Sequence, residues 1–290
     1  MIRRDIAVLI CSRGRKEVLA RLLADLQGGF LPALGEGGLT ASVLVYAQGY
    51  SAADMTDLER AFAGAVARQD LVLMTAERPH DRIGDVVRSA VERMRETTTC
   101  RLAMLMDDDS TYDADPLVDA NLRDAARAFI AQGHRAYSIK LGSGRELAYG
   151  PFLNPDDPIM PFKEKMMWVS PAVLDAVLGL PRFSELSIGE DAVIAALAWL
   201  ADPQACLAVH GLATFLHLGF EQASGEDVPG GYADLMKYDP RSGAEHGKYD
   251  AALRTGVTPF HVMPDVFVPE DHPRFIFNGV RKSLVDKLLR

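Results

Sequence analysis

The chain has 290 residues, 48% hydrophobic and 24% charged, a globular composition large enough for one sizeable domain or a domain with an appendage. A formal net charge of −9 disfavours non-specific binding to nucleic acid or to an anionic membrane, so an anionic ligand needs local arginines or a metal ion. No run approaches the ~18 apolar residues of a membrane span, and the N-terminal apolar run is far too short for a signal peptide.

Cys11, Cys100 and Cys206 lie in or beside apolar stretches without metal-ligand spacing. That usage fits reduced thiols in a soluble cytoplasmic protein.

In chain order, "DIAVLIC" (residues 5–11) is a continuous apolar strand, and "RKEVLARLLADL" follows with Val18, Leu19, Leu22, Leu23 and Leu26 at helical spacing. "QGGFLPALGEGGLT" is too rich in glycine to continue the helix and reads as a long loop. "ASVLVYAQG" is a second strand, "SAADMTDLERAFAGAVA" a helix opening on a serine cap, and "DLVLMTA" a third strand. "DRIGDVVRSAVERMRE" is a helix with Ile83, Val86, Val87, Ala90, Val91 and Met94 on one face, and "RLAMLM" is a fourth strand. Strand alternating with helix predicts an α/β fold, a mostly parallel twisted sheet with helices on both faces, which is why these strands are apolar on both sides.

The later part is less regular. "RAYSIK" is a fifth strand, "SPAVLDAVLGL" and "GEDAVIAALAWLA" are helices, and "ACLAVHGLATFLHLGF" is one bent strand or a strand pair. Residues 1–220 are expected to form the main domain. Residues 221–290 are expected to form a loop and helix extension packed on it, with 221–249, polar and broken by glycine and proline, as a lid.

The fourth strand runs into Asp107, Asp108 and Asp109. In open parallel sheets ligands bind beyond the carboxyl ends of the strands, which puts these carboxylates at the rim of a crevice. Carboxylates at this spacing suit a hard divalent cation that bridges a diphosphate, although a solvated strand end and a helix cap would use the same residues. Glu190 and Asp191, in "SIGEDAVIAALAWL", stand at a helix start, where acidic residues either complement the helix dipole or act as a general base. Arg13, Arg78 and Arg88 reach toward the same crevice and suit a phosphate or a base edge. Histidines in "VHGLATFLHLGF", His210 and His217, either complete a metal site or sit in the core.

Together these pieces resemble the nucleotide-sugar-dependent glycosyltransferases of the GT-A fold, particularly the large inverting family, over roughly the first 220 residues. "IAVLICSRGR" is similar to the family's opening strand and loop. Asp107 and Asp109 stand as its D-x-D, about 80 residues before "GEDAVI", similar to its G-E-D segment. "MMWVSPAVLDAVLGLP" resembles the apolar turn and short helix upstream of that segment, and "IGDVVRSA" the glycine-containing helix start beside the nucleotide. Many members carry an acidic pair after the second strand that reads the base. This chain has "AQGYS" there, leaving Gln48 for that contact. The Q-x-x-R-W and membrane helices of the processive synthases are absent from the sequence.

The resemblance implies transfer of a sugar from a UDP- or GDP-sugar to a sugar, lipid-linked or other hydroxyl acceptor, inverting, in polysaccharide or glycoconjugate biosynthesis. It implies Mn²⁺ or Mg²⁺ held by Asp109 with Asp107 and His217, and Asp191 as base supported by Glu190. It also implies nucleotide contacts from Arg13, Gln48, Arg78, Arg88, Asp107 and Asp108. Two other readings use the same residues. "MDDDST" fits the D-x-D-x-T of haloacid-dehalogenase-like phosphatases, with Asp107 as nucleophile, but that motif normally follows the first strand of its domain. The other is a nucleotide-binding protein of the same fold without activity.

Overall fold

The computed structural model describes residues 1–78, 80, 82–108, 110–112, positions between 123 and 131, 136–141, 166–186, 190, 193, 194, 197, 206–213 and 215–217. Asp109, Asp191 and residues 218–290, with the expected lid, lie outside the described residues, as do the side chains of His210 and His217.

A short strand β1 (Ile2–Arg3) leads to β2 (Ile6–Arg13), then helix α1 (Lys16–Asp25), a π-helical turn (Leu26–Phe30) and α2 (Leu31–Glu36). Strand β3 (Ala41–Gln48), helices α3 (Ala52–Ala61) and α4 (Ala63–Ala67), β4 (Leu71–Thr75) and α5 (Ile83–Thr97) follow. Next come β5 (Thr98–Thr99), β6 (Leu102–Asp107), β7 (Ser110–Tyr112), β8 (Ala136–Leu141), β9 (Met166–Val169) and α6 (Pro171–Leu178). The last described strands are β10 (Cys206–Ala213) and β11 (Phe215–His217).

Seven strands form the main sheet in the order β10-β8-β9-β6-β2-β3-β4. Every neighbouring pair is parallel except the two made by β9, which is antiparallel to both β6 and β8. Two apolar layers cover it. On one face Leu44, Tyr46, Ala103 and Leu105 pack with Val87, Val91 and Met94 of α5 and with Val173, Leu174 and Val177 of α6. On the other, Val8, Ile10, Val43 and Val45 pack with Leu19, Leu22, Leu23, Leu26, Phe30 and Leu34. Burial on both faces is the reason these strands lack polar alternation.

Two expectations are corrected here. Residues 27–40, expected as a loop, are helical through Glu36. Leu26, Phe30 and Leu34 are fully buried, and that apolar burial outweighs the helix cost of about 1 kcal/mol per glycine. Met166–Val169, expected as an apolar turn, is a core strand with Trp168 fully buried beside Phe129. The expected bent strand or strand pair is two strands in different sheets: β10 edges the main sheet beside β8, and β11 pairs with β7. Cys100 is a buried free thiol, pushed up to about 11 by that burial.

Candidate active site

The carboxyl ends of β2, β3, β4 and β6 lie along one rim. Cys11 is in register with Asp107, Arg13 with Gln48, and Ala47 with Thr75. Both β2 and β3 end in glycines with left-handed backbone, Gly14 at φ 62° and Gly49 at φ 72°, a conformation glycine adopts without penalty. The Gly14 N–H donates to the Gln48 carbonyl at 3.0 Å, so the two turns are tied to each other.

Asp108 is 1% exposed. Ser12 donates its hydroxyl to Asp108 Oδ2 at 2.5 Å, and the Arg15 guanidinium pairs with Oδ1. Ser12 has one proton, already given to Asp108, so the Tyr50 hydroxyl 2.6 Å away is the donor to Ser12. Burial pushes the Tyr50 phenol up to about 12; the Ser12 contact opposes the shift and the Asp108 charge adds to it. A buried carboxylate is tolerable only with such partners. The middle aspartate thus braces the rim. Asp107 is half-buried at the end of β6.

A second network sits under β3 and β4. Gln48, 4% exposed, donates from Nε2 to the His80 carbonyl at 2.7 Å, while its Oε1 is buried without a hydrogen-bond partner. His80, 2% exposed, lies 2.8 Å from the Tyr46 hydroxyl through Nε2 and 2.7 Å from Asp85 Oδ2 through Nδ1. Arg78 Nη2 reaches the same Asp85 carboxylate at 3.0 and 2.8 Å. Burial alone would raise the Asp85 carboxyl. Its bonds and charge contacts with His80 and Arg78 outweigh that and hold it below the ordinary carboxylate value.

The expected site residues are therefore partly gathered. Arg13, Gln48, Asp107 and Asp108 share the rim. Arg78 stands at the His80 network. Arg88 is turned to another use: Nη1 donates to the Leu180 carbonyl at 2.8 Å and Nε to Glu92 at 3.1 Å, tying α5 to the segment after α6. Glu190 is 5% exposed and helical, with Val193 and Ile194 in the core facing α5. Gly84, in the segment that the resemblance puts beside the nucleotide, packs against residues 183–186: an added Cβ would lie 2.0 Å from the Phe183 carbonyl oxygen.

His217 is in register with Ser110 across the antiparallel β7–β11 pair, one residue along the chain from Asp109. Among the described residues no group of three or more His, Cys, Asp or Glu side chains comes together as a metal site. Ser12, Arg15, Tyr50 and His80 were not singled out from the sequence. One usable signal was Tyr46, a phenol in an otherwise apolar strand that must find a partner when buried.

No family model matches the sequence, and no curated protein does either. Solved structures do. A crystal structure of S. aureus TarS, a glycosyltransferase, superposes with a TM-score of 0.56 at 10% identity, covering 98% of this chain and 43% of that one. The structure of TarS 1–349 superposes with a TM-score of 0.51 at 14% identity, covering 98% of this chain and 89% of that one. The chain thus spans less than half of the first TarS structure and most of the second. It shares their fold, which is GT-A-like. Among the described residues no helix is long and apolar enough to cross a membrane.

Proposed function

We propose that this chain transfers a sugar from a nucleoside-diphosphate sugar to an acceptor hydroxyl, with a divalent cation and inversion at the sugar carbon. The observation that carries the reading is the rim itself. Asp107 closes strand β6, and Gln48 presents a buried, unpartnered acceptor two strands away. A buried acceptor without a donor costs about 1–3 kcal/mol, so a ligand N–H is favoured there. Uracil and guanine each offer a ring N–H beside a carbonyl, in keeping with a UDP- or GDP-sugar.

The residues fit a cation. Asp107, Asp109 and His217 carry oxygen and imidazole donors, and the pairing of Ser110 with His217 brings their stretches of chain together. Mn²⁺ or Mg²⁺ held there supplies charge stabilisation for the departing diphosphate. Asp107 also suits the ribose hydroxyls, and Arg13 and Arg78 the nucleotide. Asp191 takes the proton from the acceptor hydroxyl as it attacks the sugar carbon, and Glu190, buried beside it in sequence, supports that carboxylate or binds the acceptor.

The test is incubation of the full chain with UDP- and GDP-sugars in Mn²⁺, followed by chromatography of nucleotide and sugar products. Release of nucleoside diphosphate with transfer to an added acceptor or to water is expected. No turnover combined with nucleotide binding would leave a binding protein of the same fold. Phosphate release from an aryl phosphate, without sugar transfer, would point to the phosphatase reading.

A further inference from the structure

One residue touches both polar side chains at the end of β3. Tyr46 and Gln48 stand two apart on that strand, so they share a face of the sheet. His80, in the connection between β4 and α5, meets Tyr46 with its ring and Gln48 with its backbone. Its Nε2 lies 2.8 Å from the Tyr46 hydroxyl, and its carbonyl accepts from Gln48 Nε2 at 2.7 Å. The other ring nitrogen, Nδ1, lies 2.7 Å from Oδ2 of Asp85, in the first turn of α5. Asp85 is ionised at neutral pH and can only accept. Nδ1 therefore carries a proton, and in the neutral ring Nε2 accepts from Tyr46. Arg78 holds the same carboxylate. The His80 ring is thus braced on two sides, by β3 and by α5.

This arrangement fixes which way the Gln48 amide faces. A carbonyl oxygen only accepts, so the end of the amide beside His80 is the nitrogen, and the oxygen faces the other way. That oxygen is the buried atom without a hydrogen-bond partner. An amide free to turn could offer a ligand either a donor or an acceptor. One pinned through its nitrogen offers the acceptor alone. Uracil and guanine carry a ring N–H that answers it. Cytosine and adenine carry a lone pair at the corresponding ring nitrogen, which would face the lone pairs of the oxygen.

We infer that Tyr46, His80 and Asp85 are specificity-determining positioning residues. They hold the His80 carbonyl against Gln48, so the site takes nucleotides whose base bears a ring N–H and refuses those whose base bears a lone pair there. The inference rests on the proposed contact of Gln48 with the base. Leaving a buried polar group unpaired costs enough to separate the two classes about 10- to 100-fold. If the ring loses either brace, the carbonyl is no longer held. The amide then turns to present Nε2, and the separation narrows.

The experiment is calorimetric titration of the full chain, in Mn²⁺, with UDP against CDP and with GDP against ADP. Within each pair the ratio of affinities reports the base edge. Wild type should prefer UDP to CDP, or GDP to ADP, by about 10-fold or more. Tyr46→Phe and Asp85→Ala should bring that ratio most of the way to one. Asp85→Asn keeps an acceptor oxygen for the Nδ1 proton and should stay close to wild type. Gln48→Ala should abolish the preference. If Asp85→Ala does not fold, Tyr46→Phe, which deletes a single oxygen, carries the test. Wild type that binds none of the four nucleotides overturns the proposed function and this inference with it. Equal binding within both pairs, or a preference that survives in Gln48→Ala, overturns the contact of Gln48 with the base and this inference, while the turnover test of transfer still stands. A preference lost in Gln48→Ala but unchanged in Tyr46→Phe and Asp85→Ala overturns this inference alone. Weaker binding of all four nucleotides at an unchanged ratio would likewise reduce the network to packing.

Discussion

Asp191 carries the sharpest expectation for a single residue. A base for the acceptor hydroxyl is needed in the chemical step and not for holding the donor. Asp191→Asn keeps size and much of the hydrogen bonding while removing basicity, so transfer should fall about 10²- to 10⁴-fold with donor affinity nearly constant. A helix-capping role predicts near-normal turnover, since asparagine caps about as well as aspartate. Measuring transfer rate and donor affinity on this variant decides, and normal turnover would move the base to Glu190. Two other residues contribute to the pH dependence of stability, one on each side of neutrality. The folded Asp85 carboxyl lies below its unfolded value of about 3.9, so its contribution is present above that value and lost as pH falls through the lowered one. Tyr50 runs the other way. Its phenol is raised to about 12, so its contribution is present below the unfolded value of about 10 and lost as pH rises toward 12. Melting temperatures across pH should therefore show a flatter acid limb for Asp85→Asn and a flatter alkaline limb for Tyr50→Phe. An unchanged limb in either variant would dismiss that residue's role.

Among the elements, α5 shows a glycine at a helix start that serves close packing. The Gly84 N–H donates to the Leu186 carbonyl at 3.0 Å, and an added Cβ would stand 2.0 Å from the Phe183 oxygen and 2.9 Å from Leu186 Cβ. Backbone cannot yield as a side-chain tip does, so Gly84→Ala should cost about 1–3 kcal/mol in urea unfolding, within the overpacking range. A loss under about 0.5 kcal/mol, ordinary for an unconstrained surface site, would mean that residues 183–186 shift freely. The strands near residues 5–11, 41–49, 70–76 and 101–106 were legible in sequence because burial on both faces leaves continuous apolar runs. The π turn was not, because Gly28 and Gly29 argue locally for a loop while the partner that favours helix, Tyr112, is remote in sequence. Strand β9 was hidden for a related reason: four apolar residues before a helix carry no period, and only the gap between β6 and β8 makes them a strand.

For the molecule as a whole, the site divides along the same line. The aspartates at the rim followed from architecture, since a parallel sheet places the ends of its strands together. The braces did not. Ser12 meets Asp108 and Tyr46 meets His80 only because separate turns converge, and no spacing in the sequence encodes that. The converged rim also makes a test on the intact chain possible. The protein is acidic, with a formal charge of −9, so a diphosphate entering beside Asp107 meets repulsion unless positive charge arrives with it. A ligand that binds only the folded state stabilises it by mass action, about 2.7 kcal/mol at 100 times its Kd. UDP or GDP should therefore raise the melting temperature in Mn²⁺ and have little effect in chelator. Asp109→Asn should remove most of the Mn²⁺-dependent rise while leaving the ligand-free melting temperature near wild type. An equal rise with Mn²⁺ and with chelator would show that the nucleotide is held without the cation, by Gln48 and the arginines alone.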